Sequence, residues 1–311
     1  MVEKILSFVF LCLALILFPA CGSVQEQAPA DMSESVAGTF LHPDEVSAPG
    51  QQIPTAETVE DPSDKIYSEE PAIPWYTASR LIYHACGGLD GFMYTNSREA
   101  MEHTLSEGNR LIEVDFLFTA DGALACVHRW EEFSEDGNPP VLEDFLRQKF
   151  EGMYTTMSAR DIIDYMERYP ALYIVVDTKE RDLPVVISEL AALCDSDPSI
   201  LNRFIIQVYG RNMKEKLIDI FPFKDENILF SCYKFGPERY YEILNICRDD
   251  NISIVTVPYC SLESDTVQKF LDRGILLFEH TVNLPEEARA ALDRGIYGIY
   301  TDFLTTGEID G

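Results

Sequence analysis

From residue 81 to residue 303 the chain alternates short apolar runs with amphipathic stretches, and no other feature of the sequence limits its fold so tightly. Runs rich in Val, Ile, Leu and aromatic residues stand at 81–84, 111–118, 123–128, 172–177, 204–208, 228–232, 254–257, 275–278 and 298–301. Short apolar runs bounded by helices are what buried parallel strands look like, because a strand covered on both faces has no polar side to show. Between them, residues 97–107, 158–168, 183–194, 212–220, 237–249, 264–272 and 285–293 carry helical patterns. The segment 123–128 follows the turn Ala120-Asp121-Gly122-Ala123 and reads as a hairpin partner of the run before it. Setting it aside leaves eight strands in about 235 residues, which predicts an α/β fold of the closed TIM (β/α)8 barrel type. The alternative is an open, doubly wound sheet. No strand–helix junction carries a glycine-rich dinucleotide or P-loop signature, so a nucleotide site has no support.

The first 75 residues have a different character. Residues 5–18 read ILSFVFLCLALILF, apolar except for Ser7, and run into Pro19, Ala20, Cys21 and Gly22. Fourteen residues fall short of the roughly 20 that span a bilayer as a helix, and suit the apolar region of a signal peptide. A small residue before a cysteine here resembles the lipobox of bacterial lipoproteins, in which the cysteine is lipidated and becomes the mature N-terminus. Phe18 and Pro19 depart from that motif, and Glu3 offsets Lys4. This predicts a lipoprotein anchored through Cys21 outside the cytoplasm, with plain secretion or an uncleaved anchor as alternatives. Residues 22–75 hold eleven acidic residues, one basic residue (Lys65) and seven prolines, the composition of a disordered or extended tether. Three segments are therefore expected: a signal peptide at 1–21, the tether at 22–75 and the barrel at 76–311.

The chain has 53 Asp and Glu against 24 Lys and Arg, a formal charge of -29, which sets aside nucleic acid and acidic membrane faces as primary partners. The tether accounts for ten of those charges and residues 76–311, with 41 acidic and 22 basic residues, for nineteen. Cysteines 86, 126, 194, 232, 247 and 260 are scattered without a CxxC pair, so free, partly buried thiols are expected rather than a disulfide frame or a thiolate metal site.

Polar residues gather where the strands end, and in a barrel catalytic groups stand at the C-terminal ends of strands. His84 closes the first strand. Glu113 and Asp115 alternate on the second and so share one face. Asp177 and Lys179 end the next strand, and His128 closes the hairpin. His42 falls in the tether and His103 on a helix surface, whereas His280 ends the seventh strand. Three hard carboxylates, Glu113, Asp115 and Asp177, suit Mg²⁺ or Ca²⁺. Two histidines across the site suit general acid–base work, and Lys179 could neutralise phosphoryl charge. The bland reading of the same residues is a set of structural ion pairs inside a barrel.

The ordered set His84-Ala-Cys-Gly-Gly, Asn96-Ser-Arg-Glu-Ala, Glu113-Val-Asp115, Asp121-Gly followed by Val127-His128, Asp177-Thr-Lys179 and Gly295-Ile-Tyr-Gly-Ile-Tyr-Thr-Asp302 resembles the glycerophosphodiester phosphodiesterases. The resemblance spans about residues 81 to 303. It implies a barrel of the phospholipase C type, a divalent cation on Glu113, Asp115 and Asp177, and two catalytic histidines, His84 as base and His128 as acid or the reverse. It implies a small phosphodiester or lipid head group as substrate, with an adjacent hydroxyl attacking phosphorus to give a cyclic phosphate that is then hydrolysed. A lyase that stops at the cyclic phosphate and a non-catalytic binding lipoprotein are the alternatives. The chain departs from the family pattern at four places. Ala85 and Cys86 stand where the family has an arginine after the histidine, which turns attention to Arg98 and Arg129 as phosphate ligands. Arg129 itself follows His128 where an aspartate is usual, Asp177 replaces a glutamate, and His280 replaces a tryptophan, which puts a titratable ring against the substrate.

Overall fold

Eight parallel strands close on themselves because the first one pairs on both sides. The computed structural model describes residues 74–236 and 239–309; the signal-like segment, Cys21 and the acidic tether lie outside the described residues. The strands are β1 (Leu81–Tyr83), β2 (Leu111–Phe118), β3 (Leu124–Cys126), β4 (Lys149–Phe150), β5 (Tyr154–Thr155), β6 (Met157–Ser158), β7 (Tyr173–Asp177), β8 (Phe204–Val208), β9 (Ile228–Ser231), β10 (Ile254–Pro258), β11 (Leu276–His280) and β12 (Gly298–Thr301). The helices are α1 (Arg98–Ser106), α2 (Leu142–Phe145), α3 (Ala159–Arg168), α4 (Leu183–Leu193), α5 (Pro198–Leu201), α6 (Met213–Ile218), α7 (Arg239–Asp249), α8 (Ser264–Leu271), α9 (Pro285–Asp293) and α10 (Thr306–Ile309). Tyr83 pairs with Ile112 of β2 and with Thr301 of β12, so the ring β1-β2-β7-β8-β9-β10-β11-β12 has no free edge. The fold is a TIM barrel, and the open-sheet alternative falls on that closure. β3 pairs antiparallel with the C-terminal end of β2, and β6 adds to β3, so these two strands stand outside the ring.

The helices start where local chemistry satisfies their free N–H groups. The Ser97 hydroxyl accepts from the Ala100 amide at α1, and Ser158 and Asp161 form a reciprocal capping box at α3. Their apolar faces pack on the outside of the barrel, with Met101, Ile162, Ile187, Ile243 and Phe270 buried against the strands.

A second core lies inside the ring. Ile82, Leu111, Val175, Ile205, Leu229, Ile254, Phe278 and Tyr300, one from each strand, form a buried layer with Trp75. The Trp75 ring lies 5.9 Å from that of Phe278, and its indole N–H donates to the Glu226 carbonyl just before β9, so Trp75 closes the barrel at the N-terminal ends of the strands. Burying each such side chain stabilises the fold by about 1.5–3 kcal/mol. Side chains alternate along a strand, so the next inward position lies two residues on. There the eight strands present His84, Glu113, Asp177, Gln207, Ser231, Thr256, His280 and Asp302. An apolar floor and a polar layer above it are thus written into one inward phase.

Candidate active site

Register brings the acids together. Asp115 and Asp177 are direct neighbours across the parallel pair β2–β7, and Glu113 stands one inward step below Asp115. One oxygen from each of Glu113, Asp115 and Asp177 lies within 4.8 Å of the others, and all three residues are buried. Glu113 Oε2 accepts from the Ala85 amide at 2.6 Å, and Asp115 Oδ2 accepts from Asn96 Nδ2 at 2.9 Å. Asp115 Oδ1 is buried with no hydrogen-bond partner, and Lys179 Nζ, 3.8 Å away, is too far to supply one. Asp177 is better served: Oδ1 accepts from the Thr178 amide and the Tyr209 hydroxyl, and Oδ2 accepts from Lys179 at 2.7 Å.

The electrostatics follow from those contacts. Burial and the adjoining Asp115 charge push Glu113 well above the usual carboxylate range. Burial and the Asp177 charge raise Asp115. Burial acts on Asp177 in the same sense, but the Lys179 charge and the hydrogen bonds from Lys179, Tyr209 and Thr178 outweigh it and lower the pKa. Crowded, buried carboxylates with an orphan oxygen among them fit a hard divalent cation.

The two histidines flank this cluster. His84 opens a short 3-10 turn after β1 in which Ala85 and Cys86 take left-handed backbone angles (φ 47° and 72°), and this turn aims the Ala85 amide at Glu113. Gly87 must be glycine: its φ is +95°, and a Cβ there would lie 2.5 Å from Thr104 Oγ1. His84 Nδ1 lies 2.9 Å from Asp302 Oδ1. Burial alone would lower the His84 pKa, but the Asp302 hydrogen bond and the charges of Glu113, Asp302 and Asp115 prevail and lift it to about 9. His128 comes from the hairpin, where the Val127 amide donates to the Asp115 carbonyl at 3.0 Å and so carries the ladder to the barrel rim. Its Nδ1 lies 3.5 Å from Glu132 Oε1, a looser partner than Asp302 is for His84. Between the two imidazoles stands the Tyr94 ring, with centroids 4.6 Å from His84 and 4.4 Å from His128.

His84, Glu113, His128, Asp177, Lys179 and His280 all line one cleft of about 180 Å³ at the C-terminal ends of the strands. The two arginines do not join them. Arg98 pairs at 3.0 Å with Asp161 at the start of α3 and is 44% exposed, because α1 turns its first residue outward. Arg129, 64% exposed, holds Glu132 at 3.1 Å, so it reaches His128 only through that carboxylate. Neither arginine lines the cleft. Asp302, Tyr94, Tyr209, Tyr233, Gln207, Ser231 and Thr256 belong to the site and were not singled out from sequence. The inward phase carried a signal for Gln207, Ser231 and Thr256. Tyr94 sits in a left-handed loop position that no period announces. All six domain cysteines are free thiols, five of them buried and Cys260 exposed.

No protein-family profile matches this sequence, and no curated protein matches it. Solved structures do. A phosphodiesterase from Oleispira antarctica, in complex with the product sn-glycerol-3-phosphate, superposes with a TM-score of 0.62 at 13% identity, over 76% of this chain and 99% of that one. A glycerophosphodiester phosphodiesterase from Parabacteroides distasonis gives 0.57 at 16%, over 72% and 92%. One from Thermotoga maritima gives 0.52 at 19%, over 72% and 94%. At these identities the likeness is one of fold: this chain has the barrel of the glycerophosphodiester phosphodiesterases of known structure.

Proposed function

We propose that this chain is a metal-dependent phosphodiester hydrolase acting on glycerophosphodiesters or related head groups, carried outside the cytoplasm on a lipid attached to Cys21. The observation that carries the catalytic reading is the buried triad of Glu113, Asp115 and Asp177, with the partnerless Asp115 Oδ1 beside two histidines. It supports the reading because the same barrel holds sn-glycerol-3-phosphate in the Oleispira antarctica enzyme. The anchor rests on the lipobox-like end of the apolar N-terminal run.

Glu113, Asp115 and Asp177 would hold Mg²⁺ or Ca²⁺, which when bound supplies Lewis-acid polarisation of a phosphoryl oxygen. His84, fixed at Nδ1 by Asp302, keeps Nε2 for a substrate proton. Two of the four contributions that lift His84 come from Glu113 and Asp115, so balancing their charge returns the imidazole toward the neutral form that a base needs. His128 serves as the partner acid, with its Nδ1 3.5 Å from Glu132 Oε1. Lys179, pinned between Asp177 and the Tyr233 ring, offers a positive charge where an arginine is absent from the turn after His84.

The full chain with Mg²⁺ or Ca²⁺ should cleave a glycerophosphodiester, a chelator should stop it, and Glu113→Gln should abolish it while the variant melts cooperatively. Full activity in Glu113→Gln would sink the site assignment. Phosphorus NMR showing a cyclic phosphate as the final product would make the protein a lyase.

A further inference from the structure

The two histidines of the cleft are held by different means. His84 Nδ1 lies 2.9 Å from Asp302 Oδ1, a hydrogen bond that sets the plane of its ring. His128 Nδ1 is buried with no hydrogen-bond partner; Glu132 Oε1, 3.5 Å away, accepts instead from Arg129 at 3.1 Å. The torsion that turns an imidazole about its Cβ–Cγ bond has only broad wells of its own, so a ring that must deliver a proton from one nitrogen needs its plane set from outside. What lies against His128 is Tyr94. Its ring centroid is 4.4 Å from that of His128 at an interplanar angle of 37°, and 4.6 Å from that of His84 at 81°. Rings this close attract and restrict each other's rotation. Tyr94 is itself pinned, with a left-handed backbone (φ 59°) two residues before Asn96. The Asn96 amide donates to the Ala85 carbonyl at 3.1 Å, and its side chain exchanges two hydrogen bonds with Asp115 at 2.9 and 3.1 Å. The phenol ring therefore rides on the turn that carries His84 and on the strand that carries two of the acids.

We propose that Tyr94 is the positioning residue of His128: its ring, rather than its hydroxyl, sets the plane of that imidazole and keeps it apart from His84. The inference rests on the phosphodiesterase reading and adds to it a residue that acts through another. The ring is the part of Tyr94 that meets both imidazoles, and it does for His128 what the Asp302 hydrogen bond does for His84. Because it touches both, it also fixes their separation, and a base and an acid serving one phosphorus work only where both are held in place. An aliphatic side chain at this position would fill the space without offering a flat face, and His128 would be free to turn about its Cβ–Cγ bond.

The test measures kcat and KM of the full chain with Mg²⁺ on glycerophosphocholine, for the wild type, Tyr94→Leu and Tyr94→Phe. Tyr94→Leu should lower kcat by about 10 to 100-fold with KM held, since a catalytic group misplaced by about 1 Å costs up to about 100-fold. Tyr94→Phe, which keeps the ring, should recover most of that loss. A loss in Tyr94→Phe equal to that in Tyr94→Leu would give the work to the hydroxyl and overturn the proposal, as would an unchanged kcat in Tyr94→Leu. Proton NMR of the cation-free chain reads the geometry without turnover. Through-space contacts between the Tyr94 ring and the His128 imidazole protons are expected in the wild type, and their absence overturns the proposal even where Tyr94→Leu does not fold. In folded Tyr94→Leu the His128 signals should move downfield as the shielding ring is removed. A wild type that cleaves no diester but shows those contacts would uphold the positioning of His128 and sink the hydrolase reading. Hydrolysis with a kcat indifferent to Tyr94→Leu would do the opposite, and absence of both contacts and cleavage overturns both.

Discussion

The barrel mouth has two halves that solve the same packing problem differently. At the ends of β12, β1, β2 and β7 the inward polar residues are Asp302, His84, Glu113 and Asp177, all ionisable: Asp302 pairs with His84 and Asp177 with Lys179, while Glu113 accepts from the Ala85 amide. On β8 to β11 they are Gln207, Ser231, Thr256 and His280, of which only His280 titrates, and burial lowers its pKa and keeps it neutral. Both halves stand on the same apolar floor. The difference shows that a barrel can hold concentrated charge when it is confined to one side, where like charges are few enough for a cation to balance. The opposite side carries neutral hydrogen-bonding groups instead.

The comparison breaks first at Glu113. Glu113→Gln should lower hydrolysis by about 10³-fold or more, read by initial rates, if the charged half does the chemistry. The same change should raise the melting temperature of the cation-free protein. Glu113 and Asp115 both have folded pKa values above their ordinary 4.5 and 3.8, so their ionisation costs stability. That cost is absent below the ordinary values and grows as pH rises through them toward the folded ones. A thermal melt series across that range with and without Mg²⁺ should therefore diverge upward in pH, with the cation adding about 2.7 kcal/mol at 100 times its Kd.

His84→Ala comes next, with an expected loss of about 10² to 10⁴-fold in kcat. Asp302→Asn should cost less, about 10 to 100-fold, and should carry a signature that mere loss of packing would not. His84 sits at about 9 in the folded state against an ordinary 6.5, so its protonation stabilises the fold fully below 6.5 and the benefit is lost as pH rises through about 9. Without Asp302 that window narrows and the His84 limb of the cation-free titration, followed by proton NMR, moves to lower pH. Arg98→Ala and Arg129→Ala should change kcat/KM least, by less than about 2-fold for Arg98, whose exposed ion pair lies outside the cleft. A 100-fold loss in Arg98→Ala would mean that the phosphate enters from the α1 side, and the division into halves would have to be redrawn.

Much of this was legible because period and chemistry coincide. The run 111–118 shows Glu113 and Asp115 on one face whatever the fold, and β2 spans those same residues. The strands 204–208 and 298–301 are likewise matched by β8 and β12. The run 275–278 ends too early in sequence because Glu279 reads as a strand end. It is instead fully buried and faces outward, with both carboxylate oxygens on Arg294 at 2.7–2.9 Å, so β11 continues to His280. The short pieces β4, β5 and β6 are too brief to leave a period. That Arg98 and Arg129 lie outside the cleft, on Asp161 and Glu132, was not legible, because a position beside a motif says nothing of where a long side chain finds its carboxylate. Asp302 lay in plain view at the end of the last motif, but its use depends on closure of the ring, which sets β12 against β1.

That closure has a kinetic consequence. Trp75 and the eight side chains around it fill one end of the barrel, so under the proposed hydrolysis substrate and both products would share a single doorway. Whichever alcohol lies deeper must wait for the other to leave. Release is then ordered, and the last product out competes directly with the next substrate while the first does not. A steady-state inhibition pattern would reveal which of the two fragments occupies the inner place.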